Sequence, residues 1–140
     1  VEIEERAELL AAAEHSVLLE VAERLIGKHG LPEIISPPTV GLIALEVREP
    51  IERIRFRLGD VVVTRAEVEI RGGAGWGIRA GDDRAGSLAA AVCAAVGDHG
   101  LQGHEEVDRL CQATADRIVA DDLAEWAELA ETIVEFEELD

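Results

Sequence analysis

Aromatic side chains make up only 3% of this 140-residue chain. A core must therefore be assembled from Leu, Ile, Val and Ala, which suits helices packed on a small sheet, and a large aromatic-lined ligand pocket is not expected. Cations are scarce as well: 13 Lys and Arg stand against 30 Asp and Glu, a formal charge of -17. That balance argues against a nucleic-acid partner and disfavours an anionic membrane, because phosphate binding needs clustered cations. Lys28 is the only lysine, and an acidic, Arg-rich, Lys-poor composition speaks of a GC-rich or high-salt host more than of function. The two cysteines, Cys93 and Cys111, lack CxxC spacing, so reduced thiols in a cytoplasmic protein are expected rather than a disulfide. No apolar run reaches the length of a membrane span, and the N-terminus lacks the basic-then-apolar order of a signal peptide. The length predicts one domain, residues 1–140.

What the chain does have is a long stretch of period-two patterning. Ile54, Phe56 and Leu58 alternate with Arg53, Arg55 and Arg57; after Gly59-Asp60, residues Val62, Thr64, Ala66, Val68 and Ile70 line one face, with Arg65, Glu67, Glu69 and Arg71 on the other. A short strand is expected at Glu33 to Ser36, stopped by Pro37-Pro38, and Val40 to Arg48 reads as a strand buried on both faces. Pro50 closes that strand. Gly72-Gly73-Ala74-Gly75 reads as a hairpin connection leading into a strand at Trp76 to Ala80. Its spacing is not that of a phosphate loop, and a strand, not a helix, follows.

Helices bracket these strands. Ile3, Ala7, Leu10 and Ala11 give the first a stripe, and Ser16 is placed to cap a second that ends at Gly30. Asp82 or Asp83 caps an Ala-rich central helix. Val107, Leu110, Cys111, Thr114 and Ile118, then Leu123, Trp126 and Ala130, trace a long C-terminal helix, or two with a joint at Asp121-Asp122. From about residue 131 the β-branched and aromatic run Thr132-Ile133-Val134-Glu135-Phe136 allows either an extended tail that contacts partners or continued helix. The expected class is α+β: a small, mainly antiparallel sheet of about four strands, flanked by N-terminal helices, a central helix and a long C-terminal helix.

No nucleophile and base declare themselves. His99 and His104, in H-x4-H spacing, lack a third ligand, so no metal is expected. Arg53, Arg55, Arg57 and Arg65 could capture phosphate or carboxylate bidentately. The plainer reading pairs them with Glu46, Glu67, Glu69 and the acidic helices, within this chain or across an interface, at ~0–1 kcal/mol per exposed pair. Gly59-Asp60 reads as a turn or bulge before it reads as a ligand site.

Val40-Gly41-Leu42, the block Phe56-x-Leu58-Gly59-Asp60-x-x-Val63-Thr64-Arg65-Ala66-x-Val68, Gly75-x-Gly77 and Gly81-x-Asp83 before an Ala-rich helix resemble the PhnG family, a small component of the bacterial carbon-phosphorus lyase system. The likeness covers nearly the whole chain; Ala94, Ile133 and Glu135 depart from the family pattern. It implies a protein that works with subunits H, I and J of the carbon-phosphorus lyase core complex, and indirectly with a nucleotide-binding-cassette protein. In that family, adenine is displaced from ATP by an alkylphosphonate to give ribose 1-phosphonate 5-triphosphate. The chain itself would bind no cofactor and would not be catalytic alone; ATP and alkylphosphonate are substrates of the complex. Arg65 and Arg57, with Asp60 and Thr64, are the anion-binding or interface candidates, and Val134, Glu135 and Phe136 the partner-contact tail. The alternative is a stand-alone acidic ligand-binding or dimerisation module.

Overall fold

The computed structural model describes residues 2–48 and 55–138. Among them, four helices stand on one side of a three-stranded antiparallel sheet. The order along the chain is α1 (Ile3–Ala12), α2 (His15–His29), β1 (Glu33–Arg48), β2 (Arg55–Ile70), β3 (Gly73–Ala80), α3 (Arg84–Asp98) and α4 (His104–Glu138), and the sheet order is β1-β2-β3. Ser16 lies inside the first turn of α2, whose cap is Glu14. Gly30 ends α2 at φ +84°, its N–H bonded to the Ile26 carbonyl.

Three strands stand where about four were expected, because the break expected at Pro37-Pro38 and the turn left open at Gly59-Asp60 are both absorbed as irregularities. Pro37-Pro38 does not stop β1. The register with β2 passes from Ser36 opposite Glu67 to Thr39 opposite Arg65, so the two prolines bulge against the single residue Ala66. An edge strand tolerates this, since the missing N–H groups need not enter a ladder. Of the turn or bulge expected at Gly59-Asp60 the strand makes a bulge, one residue earlier at Leu58-Gly59: Leu45 faces Gly59 and Glu46 faces Arg57, which leaves Leu58 without an opposite residue. The connection from β2 to β3 is the two-residue turn Arg71-Gly72, with φ of +50° and +79°, the positive pair that matches strand twist in tight hairpins. The turn expected at Pro50 and the residues Arg53 and Ile54 fall outside the described residues.

β1 is not buried on both faces. Leu42 is 67% exposed and Ile43 44%, because α3 lies against β3 and β2 while the far half of the β1–β2 hairpin runs past the helices. On the covered face, Thr64, Ala66, Val68 and Ile70 are buried as the alternation predicts, whereas Val62, further up the arm, is not.

The contact between α3 and β3 sets how the layers close. Gly75 and Gly77 face α3, and a Cβ at Gly75 would sit 2.2 Å from the Ala95 nitrogen and one at Gly77 2.5 Å from the Ala91 nitrogen. Only hydrogen at these positions lets the helix backbone approach so closely. Every residue of α3 from Ala89 to Val96 is buried. Leu18, Val21, Ala22 and Leu25 of α2, Leu10 of α1 and Val107, Leu110 and Cys111 of α4 complete the core. α4 is unbroken at Asp121-Asp122, and of the two conformations open to the tail its backbone takes the helical one to Glu138. No helix among the described residues is long and apolar enough to cross a membrane.

Both thiols are free and buried. Burial is the main cause that pushes each thiol up, and Cys111 reaches about 11 even though Arg6 pulls the other way. The stabilisation by neutral thiols is complete below the ordinary value of 9.0 and is lost as pH rises through about 11. At pH 8 the native chain should react with a thiol-disulfide reagent at least a hundredfold more slowly than the urea-unfolded chain. Rapid labelling of Cys93 in the native state would contradict this packing.

Candidate functional site

The residues singled out in the sequence divide between the two faces of the sheet. Thr64 points inward and is fully buried. Its hydroxyl donates to the Gly81 carbonyl at 2.6 Å and accepts the Asp83 N–H at 2.9 Å, so it staples β2 to the β3–α3 loop. Asp83 in turn caps α3 by accepting the Gly86 N–H at 2.9 Å. The other oxygen of Asp83 takes Nε of Arg79 at 3.2 Å and lies 3.5 Å from Nδ1 of His15.

Arg79 is the centre of this inner cluster. One of its terminal nitrogens donates to the carbonyls of Leu10, Ala11 and Ala13 at 3.1, 2.9 and 2.7 Å. These are the orphan acceptors at the C-terminal end of α1, where the helix dipole also favours a cation. A second buried arginine, Arg6, pairs with Asp98 at the end of α3. Sequence reasoning missed both. The available signals were Arg79 on the inward parity of Gly73, Gly75 and Gly77, and Arg6 on the Leu10 and Ala13 face of α1.

Arg65 points the opposite way, onto the sheet face that no helix covers. Its guanidinium lies 5.7 Å from the ring centroid of Trp76, a cation–π contact worth about 0.5–1 kcal/mol when exposed. Thr39 stands opposite it on β1 and Ile78 on β3. With Ser36, Gly41, Ile43 and Val63 they line an open hollow of about 390 Å³. Among the described residues, Arg65 enters no ion pair, so the expected pairing with Glu67 or Glu69 is not made within the chain, and its charge faces the hollow.

The other candidates are not brought to this place. Asp60, exposed beside the bulge, lies about 17 Å up the arm from Arg65 at strand spacing. Arg57 lies further still, opposite Glu46; the side chains of Arg57, Val134, Glu135 and Phe136 fall outside the described residues. The histidines are engaged elsewhere. His99 contacts the Ala74 carbonyl through Nε2 at 2.9 Å, and His104 lies within ion-pair distance of Glu105 and Asp108. Among the described residues, no group of three His, Cys, Asp or Glu is placed to hold a metal ion.

The arrangement is thus a half-apolar sheet face with one unneutralised arginine, continuous with a projecting hairpin whose Leu42, Ile43, Val61 and Val62 are exposed. Exposed apolar surface of this kind commonly marks an interaction site. A family model described as phosphonate metabolism protein PhnG matches residues 4–139. No curated protein matches the sequence significantly.

Proposed function

Because this chain belongs to the PhnG family of phosphonate metabolism proteins, we propose that it is a subunit of the carbon-phosphorus lyase core complex, not catalytic on its own and partnered by subunits H, I and J. In this reading the complex, served by its nucleotide-binding-cassette protein, displaces adenine from ATP with an alkylphosphonate. Family membership carries the proposal, and the uncovered apolar arm and sheet face are what an obligatory partner needs. The reaction demands stabilisation of a developing oxocarbenium ion, a proton for departing adenine and cations for the triphosphate. Of these, the described residues offer the last, through Arg65, with Arg57 the other candidate from the sequence.

Co-expression with subunits H, I and J tests the reading: all four should copurify, and the complex should release adenine from ATP when given methylphosphonate and the cassette protein. A stable monomer that captures none of them would favour the stand-alone acidic module. Arg65→Ala should leave assembly intact and slow adenine release by about ten- to a hundredfold, the loss of one charge-assisted contact. If assembly fails instead, Arg65 holds an interface and not a phosphate.

A further inference from the structure

Among the described residues, α4 beyond Arg117 stands clear of the body of the molecule. Val107, Leu110, Cys111 and Thr114 are buried, and Arg117 donates to the Ala12 carbonyl. Beyond that point Val119, Leu123 and Trp126 are 58%, 65% and 68% exposed, and Ala130 is exposed too. These four recur at intervals of four, three and four residues, the seam spacing by which one helix packs along another. The seam is flanked by Asp121, Asp122, Glu125, Glu128 and Glu131, and no cation occurs after Arg117.

That charge pattern selects the occupant. A second copy laid along this helix, parallel or antiparallel, would set carboxylates against carboxylates. A basic helix would meet them with opposite charge. We propose that residues 118–131 dock an amphipathic helix of another protein whose Leu or Ile seam is flanked by Lys and Arg. The identity of that protein as a member of the same complex rests on the function proposed above; the surface and its chemistry do not.

Two measurements test the proposal. In the first, the chain carrying Trp76→Phe, which leaves Trp126 as the reporter, is titrated with a 28-residue peptide bearing Leu at the seam and Lys at the flanks, and with one bearing Glu at the flanks. The Lys peptide should bind with a blue shift that fades as salt is raised, and Leu123→Gln with Trp126→Gln, followed by anisotropy of a labelled peptide, should weaken it a hundredfold or more. Equal binding of both peptides, or of neither, overturns the proposal. So does a homodimer in sedimentation that the same double substitution abolishes. In the second, hydrogen exchange compares the free chain with the copurified complex. Slowed exchange of the amides of 118–131 in the complex supports the docking; a complex that forms while they exchange as in the free chain overturns it and leaves the proposed function standing. If no complex forms, the function falls and the peptide titration alone decides.

Discussion

Gly75→Val should leave the chain unable to hold its fold. The added carbons would meet the backbone of α3 and not a yielding side chain: a Cβ alone falls 2.2 Å from the Ala95 nitrogen and 2.5 Å from the Ala91 carbonyl oxygen. Relief requires lifting the whole helix from the sheet, and α3 also touches α1, α2, α4 and β2. Overpacking of this kind costs about 3 kcal/mol or more, a large part of the roughly 5–15 kcal/mol that ordinarily separates folded from unfolded states. The expected result is loss of soluble protein, or a urea midpoint lowered by at least a third with an unchanged slope. Ala74→Val, one residue away on the uncovered face, is the control and should shift stability by no more than about 0.5 kcal/mol. Equal behaviour of the two variants would show that the sheet and α3 do not meet as described.

The second large effect is expected at Arg79. Arg79→Met keeps much of the side-chain volume but removes every donor, leaving the carbonyls of Leu10, Ala11 and Ala13 without that partner and Asp83 without its guanidinium. Removing one partner from a buried charged network typically costs about 3–5 kcal/mol. Arg79→Lys should recover less than half of that loss, because a single ammonium cannot both span the end of α1 and reach Asp83. Chemical unfolding followed by far-ultraviolet dichroism measures both. A midpoint unchanged by Arg79→Met would mean that α1 is held by Arg6, Arg117 and the burial of Leu10 without help from Arg79.

Much of this was legible, and what was not has a common cause. The inward set Thr64, Ala66, Val68 and Ile70 follows from alternation, and Gly30 and Asp83 announce helix ends through local backbone chemistry. Local rules failed at Pro37-Pro38, because a strand partner can absorb a bulge that the strand's own sequence marks as a break; at Gly59-Asp60 they left turn and bulge open, and the pairing with β1 decides for the bulge. The exposure of Leu42 and Ile43 was hidden for a different reason: their composition is that of a core, and only the place where the helical layer stops decides that they are not in one. At the candidate site, period two was enough to turn Arg65 away from Thr64. Its stacking on Trp76 depended on the β2–β3 register, which a single strand does not contain.

The attachments of α1 have a consequence in time. The helix is held by Arg79, Asp98 and Arg117 through bonds that span about 66 to 105 residues of chain: Arg79 reaches Ala13 across 66, Arg6 reaches Asp98 across 92, and Arg117 reaches Ala12 across 105. By contrast, β2, β3 and α3 are contiguous in sequence and in space, so loop closure there is inexpensive. During synthesis at about 5–20 residues per second, α1 therefore waits roughly 5–20 seconds for the last of its anchors. Until then its apolar stripe is exposed to chaperones and proteases, and α1, made before all three of its anchors, becomes secure only after the helices and strands that follow it.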